Sequence, residues 1–150
     1  AALALAGCAD GPGGLVVVHD VQRPDQGRAD ALVGPSGFEL VGADAAAEAA
    51  FAATLAKPAA AGGGGFDPDA AGPRLVLALG GGSADCAGGA PGPGRPEAAA
   101  AFCDGPRRLA FARGRSAALA GPEAPGAAAA VERMLSAMLR PRKPTTPGGR

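Results

Sequence analysis

The 150 residues are enough for one domain, and alanine, glycine and proline fill more than half of them. The 14 basic and 14 acidic side chains cancel and phenylalanine is the only aromatic, which excludes a nucleic-acid surface of the basic, base-stacking kind. Isoleucine is absent, so a core must be thin, and no apolar run approaches the roughly 18 residues of a membrane helix.

Residues 1–6 read as the end of a helix, with Gly7 as its stop. Leu15, Val16, Val17, Val18 and His19 form a continuous apolar run ending in the single histidine, the pattern of a strand buried on both faces. Asp25 starts a short helix to about Val33, and residues 34–37 make a turn. Residues 38–41 give a second strand. Asp44 caps a helix through Lys57, with Phe51 and Leu55 on its apolar side and Pro58 as its stop.

Residues 58–73, with four consecutive glycines, form a flexible connector. A third strand covers residues 75–79. Gly80, Gly81, Gly82 and Ser83 follow at once, with Ser83 capping a short helix. A Gly/Pro loop over 88–96 leads to a helix from Pro96 to about Cys103. Residues 109–120 are weakly helical. The strongest helix spans 127–140, where Val131, Met134, Leu135, Met138 and Leu139 make one stripe and Glu132, Arg133, Ser136 and Arg140 face away.

Strand, helix, strand, helix, strand and then helices imply an α/β, Rossmann-like domain over 1–140. It has a mainly parallel sheet of about three strands, flanking helices, long Gly/Pro-rich loops and a flexible tail over 141–150. Ligands of such sheets sit beyond the carboxyl ends of the strands. His19, Asp20 and Arg23 would then share one edge with Gly80, Gly81, Gly82 and Ser83. Asp20 suits a divalent metal, Arg23 a phosphate or carboxylate, and the glycine turn a phosphate held on backbone amides. The three cysteines, Cys8, Cys86 and Cys103, lack metal-ligand spacing and read as thiols of a reducing, cytoplasmic compartment.

Val17-Val18-His19-Asp20, followed by Arg23-Pro24, resembles the signature of the methylerythritol phosphate cytidylyltransferases of isoprenoid biosynthesis. Lys143-Pro144-Thr145-Thr146-Pro147 is similar to that family's Lys-x-Thr-Thr-Pro. The resemblance implies a Rossmann-like transferase fold and Mg²⁺ near Asp20. It places Arg23 and Lys143 on the phosphate of a nucleotide or phosphorylated small molecule. The family's Gly-rich nucleotide loop would lie ahead of residue 1. The resemblance therefore implies a partial domain that binds without turnover.

Leu5-Ala6-Gly7-Cys8 gives a second reading, a bacterial lipobox with Cys8 lipidated and the protein held in the envelope. A third is a low-complexity, partly disordered or wrong-frame product with no activity.

Overall fold

A computed structural model describes residues 15–23, 36–59 and 62–139. The elements over 1–6 and 25–33, the lipobox with Cys8, and Lys143 with its tail lie outside the described residues. Among the described residues strand outweighs helix. The elements are β1 (Val17–Gln22), β2 (Gly37–Leu40), α1 (Ala45–Ala52), β3 (Arg74–Leu79), β4 (Ser83–Asp85), β5 (Gly88–Ala90), β6 (Glu97–Asp104), β7 (Arg107–Arg115) and α2 (Ala127–Met138). A 3-10 turn, Ala117–Leu119, precedes α2.

The expected helix-flanked parallel sheet is not there. Five strands form a mixed sheet in the order β1-β7-β6-β3-β2. Only β2 and β3 run parallel; the other three pairings are antiparallel. The main difference lies in the segments read as helices over 96–103 and 109–120. They are β6, most of β7 and the 3-10 turn. Alanine favours a helix intrinsically, but that preference is worth only tenths of a kcal/mol per residue over most alternatives. Between the arms stands Asp104-Gly105-Pro106-Arg107, with Gly105 at φ 61° and Asp104 opposite Arg107. Glycine as first central residue is what a type II′ hairpin needs. Once the arms pair, β6 lies between β3 and β7, and alanines bury it on both faces.

One face of the sheet carries the helices. Leu75, Leu77, Phe102, Ala110 and Ala112 pack there against Phe51 and Leu55 from the α1 side and the Val131, Met134, Leu135, Met138 stripe of α2. That stripe is buried as its spacing predicts. Asp44 caps α1 by accepting from the Ala47 amide at 2.8 Å. The helix ends at Ala52 instead of running on to Lys57. Ala56 donates to Glu132 Oε2 at 3.0 Å and Lys57 to the Gly64 carbonyl at 2.8 Å. The chain thus exchanges helical bonds for tertiary ones, and Glu132 faces the α1 side instead of turning away. Residues 65–66, within the expected connector, bridge to Ala56 and Ser36, and Phe66 enters the core.

The opposite face carries the β4–β5 hairpin, which stands where a helix capped by Ser83 was expected. Val76, Ala78, Ala99, Ala101, Cys103 and Phe111 make a second core there with Ala84 and Cys86. The hairpin is fastened to β6 by a disulfide between Cys86 and Cys103, whose Cα atoms are 5.6 Å apart. These two cysteines are therefore not the free thiols their spacing implied.

β1 also departs from expectation. It is the edge of the sheet, paired with β7 alone. Val16 and Val18 lean on the helix-side core, while Leu15 is 72% and Val17 54% exposed. An apolar run usually marks a strand covered on both faces. Here only one face of the strand is covered.

Candidate functional site

The sheet topology decides which of the expected site residues can meet. β1 runs against β7, β7 against β6 and β6 against β3, so β1 and β3 point in opposite directions. Arg23, just past β1, therefore leaves the sheet at the end opposite Gly80, just past β3. The shared carboxyl edge that a parallel sheet would provide does not form.

Each residue has local work of its own. Asp20 sits at φ 53°, in the register shift between His19 and Gln22, and aspartate tolerates this left-handed conformation better than most residues. Its Oδ1 accepts from Gln22 Nε2 at 3.0 Å, and its Oδ2 lies 3.5 Å from Arg113 Nε. Magnesium takes several oxygen ligands. Asp20 has a guanidinium and an amide beside it instead, and no cluster of three His, Cys, Asp or Glu suited to a metal occurs among the described residues. Arg23 is half-buried and engaged with other groups.

The turn Gly80-Gly81-Gly82 is explained by packing. The Gly80 amide donates to the Leu119 carbonyl at 2.9 Å and the Gly81 amide to the Glu97 carbonyl at 2.8 Å. The Gly80 carbonyl accepts from both Gly94 and Arg95. Two of the amides a phosphate would need are thus already spent. Gly80 and Gly81 have φ of 73° and 86°, and a side chain on Gly82 would run into the Ala90 carbonyl. Ser83 opens β4, and its hydroxyl accepts from the Ala90 amide at 3.2 Å.

His19 does come near the glycine turn, from the middle of its strand. It stands opposite Arg113, which stands opposite Ala99; one step along, Arg115 stands opposite Glu97. With Gly81 and Gly82 these side chains line a cleft of about 160 Å³ on the hairpin face. Arg113 lies over the Phe111 ring at 5.7 Å, which fixes its stem against the second core. Sequence reading missed Glu97, Arg113 and Arg115 because it took both segments as helices. The alternation of Arg113 and Arg115 with Ala112 and Gly114 was the available signal.

A second cleft, of about 360 Å³, lies at the carboxyl ends of the parallel pair β2 and β3. It is lined by Leu40, Val41, Leu79, Pro91 and Pro122, with Asp44 as its charged residue. The Asp44 carboxylate is committed to its helix, which leaves this cleft largely apolar.

Away from both clefts, Lys57 and Ser36 are buried together, at 5% and 3% exposure, with Nζ donating to Oγ at 3.1 Å. Burial pushes the Lys57 ammonium below its usual pKa.

The chain matches no family model, no curated protein and no solved structure. No helix among the described residues is long and apolar enough to cross a membrane.

Proposed function

We propose that the chain is the disulfide-closed domain of an exported envelope lipoprotein, tethered through Cys8 and acting as a small-ligand binding module. The observation that carries this reading is the Cys86–Cys103 bond. Structural disulfides persist in oxidising compartments and are rare in the cytosol. The lipobox reading of Leu5-Ala6-Gly7-Cys8 leads to the same compartment from an independent stretch of sequence. The hairpin-side core, built largely of alanine, is also the kind that gains from a covalent staple.

The nucleotidyltransferase reading has less support. It asks for a parallel nucleotide-binding sheet, and this sheet holds one parallel pair. It also asks Arg23 to work beside the glycine turn, which lies at the other end of the sheet.

The test is to express the gene with its own upstream codons in a bacterial host, fractionate the cells and alkylate the denatured chain without reductant. The expected chain is in the envelope fraction, takes up a palmitate label that Cys8→Ser abolishes, and has Cys86 and Cys103 protected from alkylation. A cytosolic, unlabelled chain with three reactive thiols would overturn the proposal.

A further inference from the structure

We propose that the cleft between β1, β7 and the Gly81-Gly82 turn binds a small zwitterion of the amino-acid class, its carboxylate on Arg113, Arg115 and His19 and its ammonium on Glu97. This names a ligand for the binding module proposed above and rests on that reading.

The first support is an open charge pair. Glu97 and Arg115 stand directly opposite each other on β6 and β7, where opposite charges usually meet across the strands. Among the described residues neither side chain makes a hydrogen bond or an ion pair. His19 likewise has no side-chain partner among them. Arg113 is engaged through Nε with Asp20, and a guanidinium has four further N–H donors to offer.

The second support is the shape of the hollow. Small residues line it, the backbone of Gly81 and Gly82 on one wall and Ala99 on the sheet, so the hollow stays open between the charged side chains. Its volume is about 160 Å³, room for about five water-sized groups. That is the size of glycine or alanine, and too small for a nucleotide.

The third support is the charge pattern. A simple anion would meet two guanidinium groups and an imidazole, but also the half-buried Glu97 carboxylate. A simple cation would meet Glu97 but also both arginines. A molecule with both charges on neighbouring carbons satisfies every group, and the fork of an arginine suits a carboxylate.

The single histidine makes the test direct, because its ring C–H resonances in the NMR spectrum report on this cleft alone. Glycine is titrated into the disulfide-closed protein, with acetate, methylammonium and inorganic phosphate as separate arms at equal ionic strength. A saturable shift of the His19 signals is expected with glycine, and at least about tenfold weaker responses with the three probes that carry charge of one sign only. Glu97→Gln should weaken glycine binding by about tenfold or more while leaving the thermal melt in place. If that variant does not fold, Arg115→Gln serves in its place. Equal binding of acetate or phosphate would overturn the proposal in favour of an anion site, and a flat response to all four probes would overturn it outright. Neither result touches the alkylation and lipid-labelling outcomes, so this inference and the export reading fail separately.

Discussion

Cys86 and Cys103 are bonded across the hairpin face of the sheet, joining the turn after β4 to the end of β6 over 17 residues of chain. Cys103 is almost fully buried, in the second core with Val76, Ala101 and Phe111. The bond therefore holds the hairpin over a core built largely of alanine, where side-chain burial alone contributes little.

Reduction should cost stability on the scale of closing a loop of this length, about 3 kcal/mol. For a chain of this size that is a fall of about 10 °C in Tm. Circular dichroism melts with and without reductant, on wild type and on a Cys86→Ala/Cys103→Ala variant, measure it. The variant should melt near the reduced wild type and be indifferent to reductant. Equal melting of the oxidised wild type and the variant would show that the bond contributes no stability.

The glycine turn after β3 makes a different prediction. A Cβ at Gly92 would collide with the Gly80 carbonyl and the Gly82 amide, both backbone groups, and the carbonyl is already held by the Gly94 and Arg95 amides. Gly121 has ordinary φ and nothing within 4 Å of the same notional atom. Gly92→Ala should therefore destabilise by about 1–3 kcal/mol. Gly121→Ala should be neutral or stabilise by about 0.5 kcal/mol through the unfolded chain. Urea denaturation of the two variants side by side separates local packing from the general effect of removing glycine.

Where the sequence was legible, periodicity and turn chemistry agreed. The apolar stripe of α2, the Asp44 cap and the strands β2 and β3 were all readable on those grounds, with β2 ending one residue short of the expected Val41. Legibility failed where alanine carried the pattern. Glu97 to Cys103 offers no polar-apolar alternation, because both faces of β6 are buried and alanine fills both. The decisive signal was the Asp104-Gly105-Pro106 turn, which outweighs a weak helix propensity. Taking both arms as helices removed β6 and β7, and with them the antiparallel order that sets β1 against β3. The site followed the fold. Arg113 and Arg115 become neighbours of His19 only through strand pairing, and the partner of Cys86 becomes evident only when β6 passes beneath the hairpin.

The contact between α2 and β7 turns on Gly114 and Met134. A Cβ on Gly114 would lie 2.7 Å from Met134 Sδ and 2.9 Å from its Cγ, and Met134 is fully buried. Met134→Ala should cost about 2–5 kcal/mol as a cavity, and Gly114→Ala about 1–3 kcal/mol as overpacking. Combined, they should cost less than the sum, because the new methyl occupies space the methionine leaves. A double-mutant cycle from urea melts measures the coupling, and strict additivity would mean that α2 does not rest on Gly114.

Lys57 gives a pH dependence whose sign follows from its burial. Its ammonium is removed from water beside Ser36, and desolvation lowers its pKa below the 10.5 of a free lysine. In the unfolded chain the side chain regains the ordinary value. Between the lowered pKa and 10.5 the unfolded state binds more protons than the folded one, so stability rises with pH across that window. Below the lowered pKa both states carry the charge, and the folded state bears the full cost of burying it. The chain contains no tyrosine, so few other groups titrate there. Urea midpoints measured from pH 7 to pH 11 should climb toward the alkaline end in wild type. In Lys57→Met, which keeps the aliphatic bulk without the ammonium, the climb should disappear and the neutral-pH midpoint should match or exceed that of wild type. A wild-type midpoint that falls steadily over the same range, in parallel with the variant, would mean that Lys57 is not held away from water.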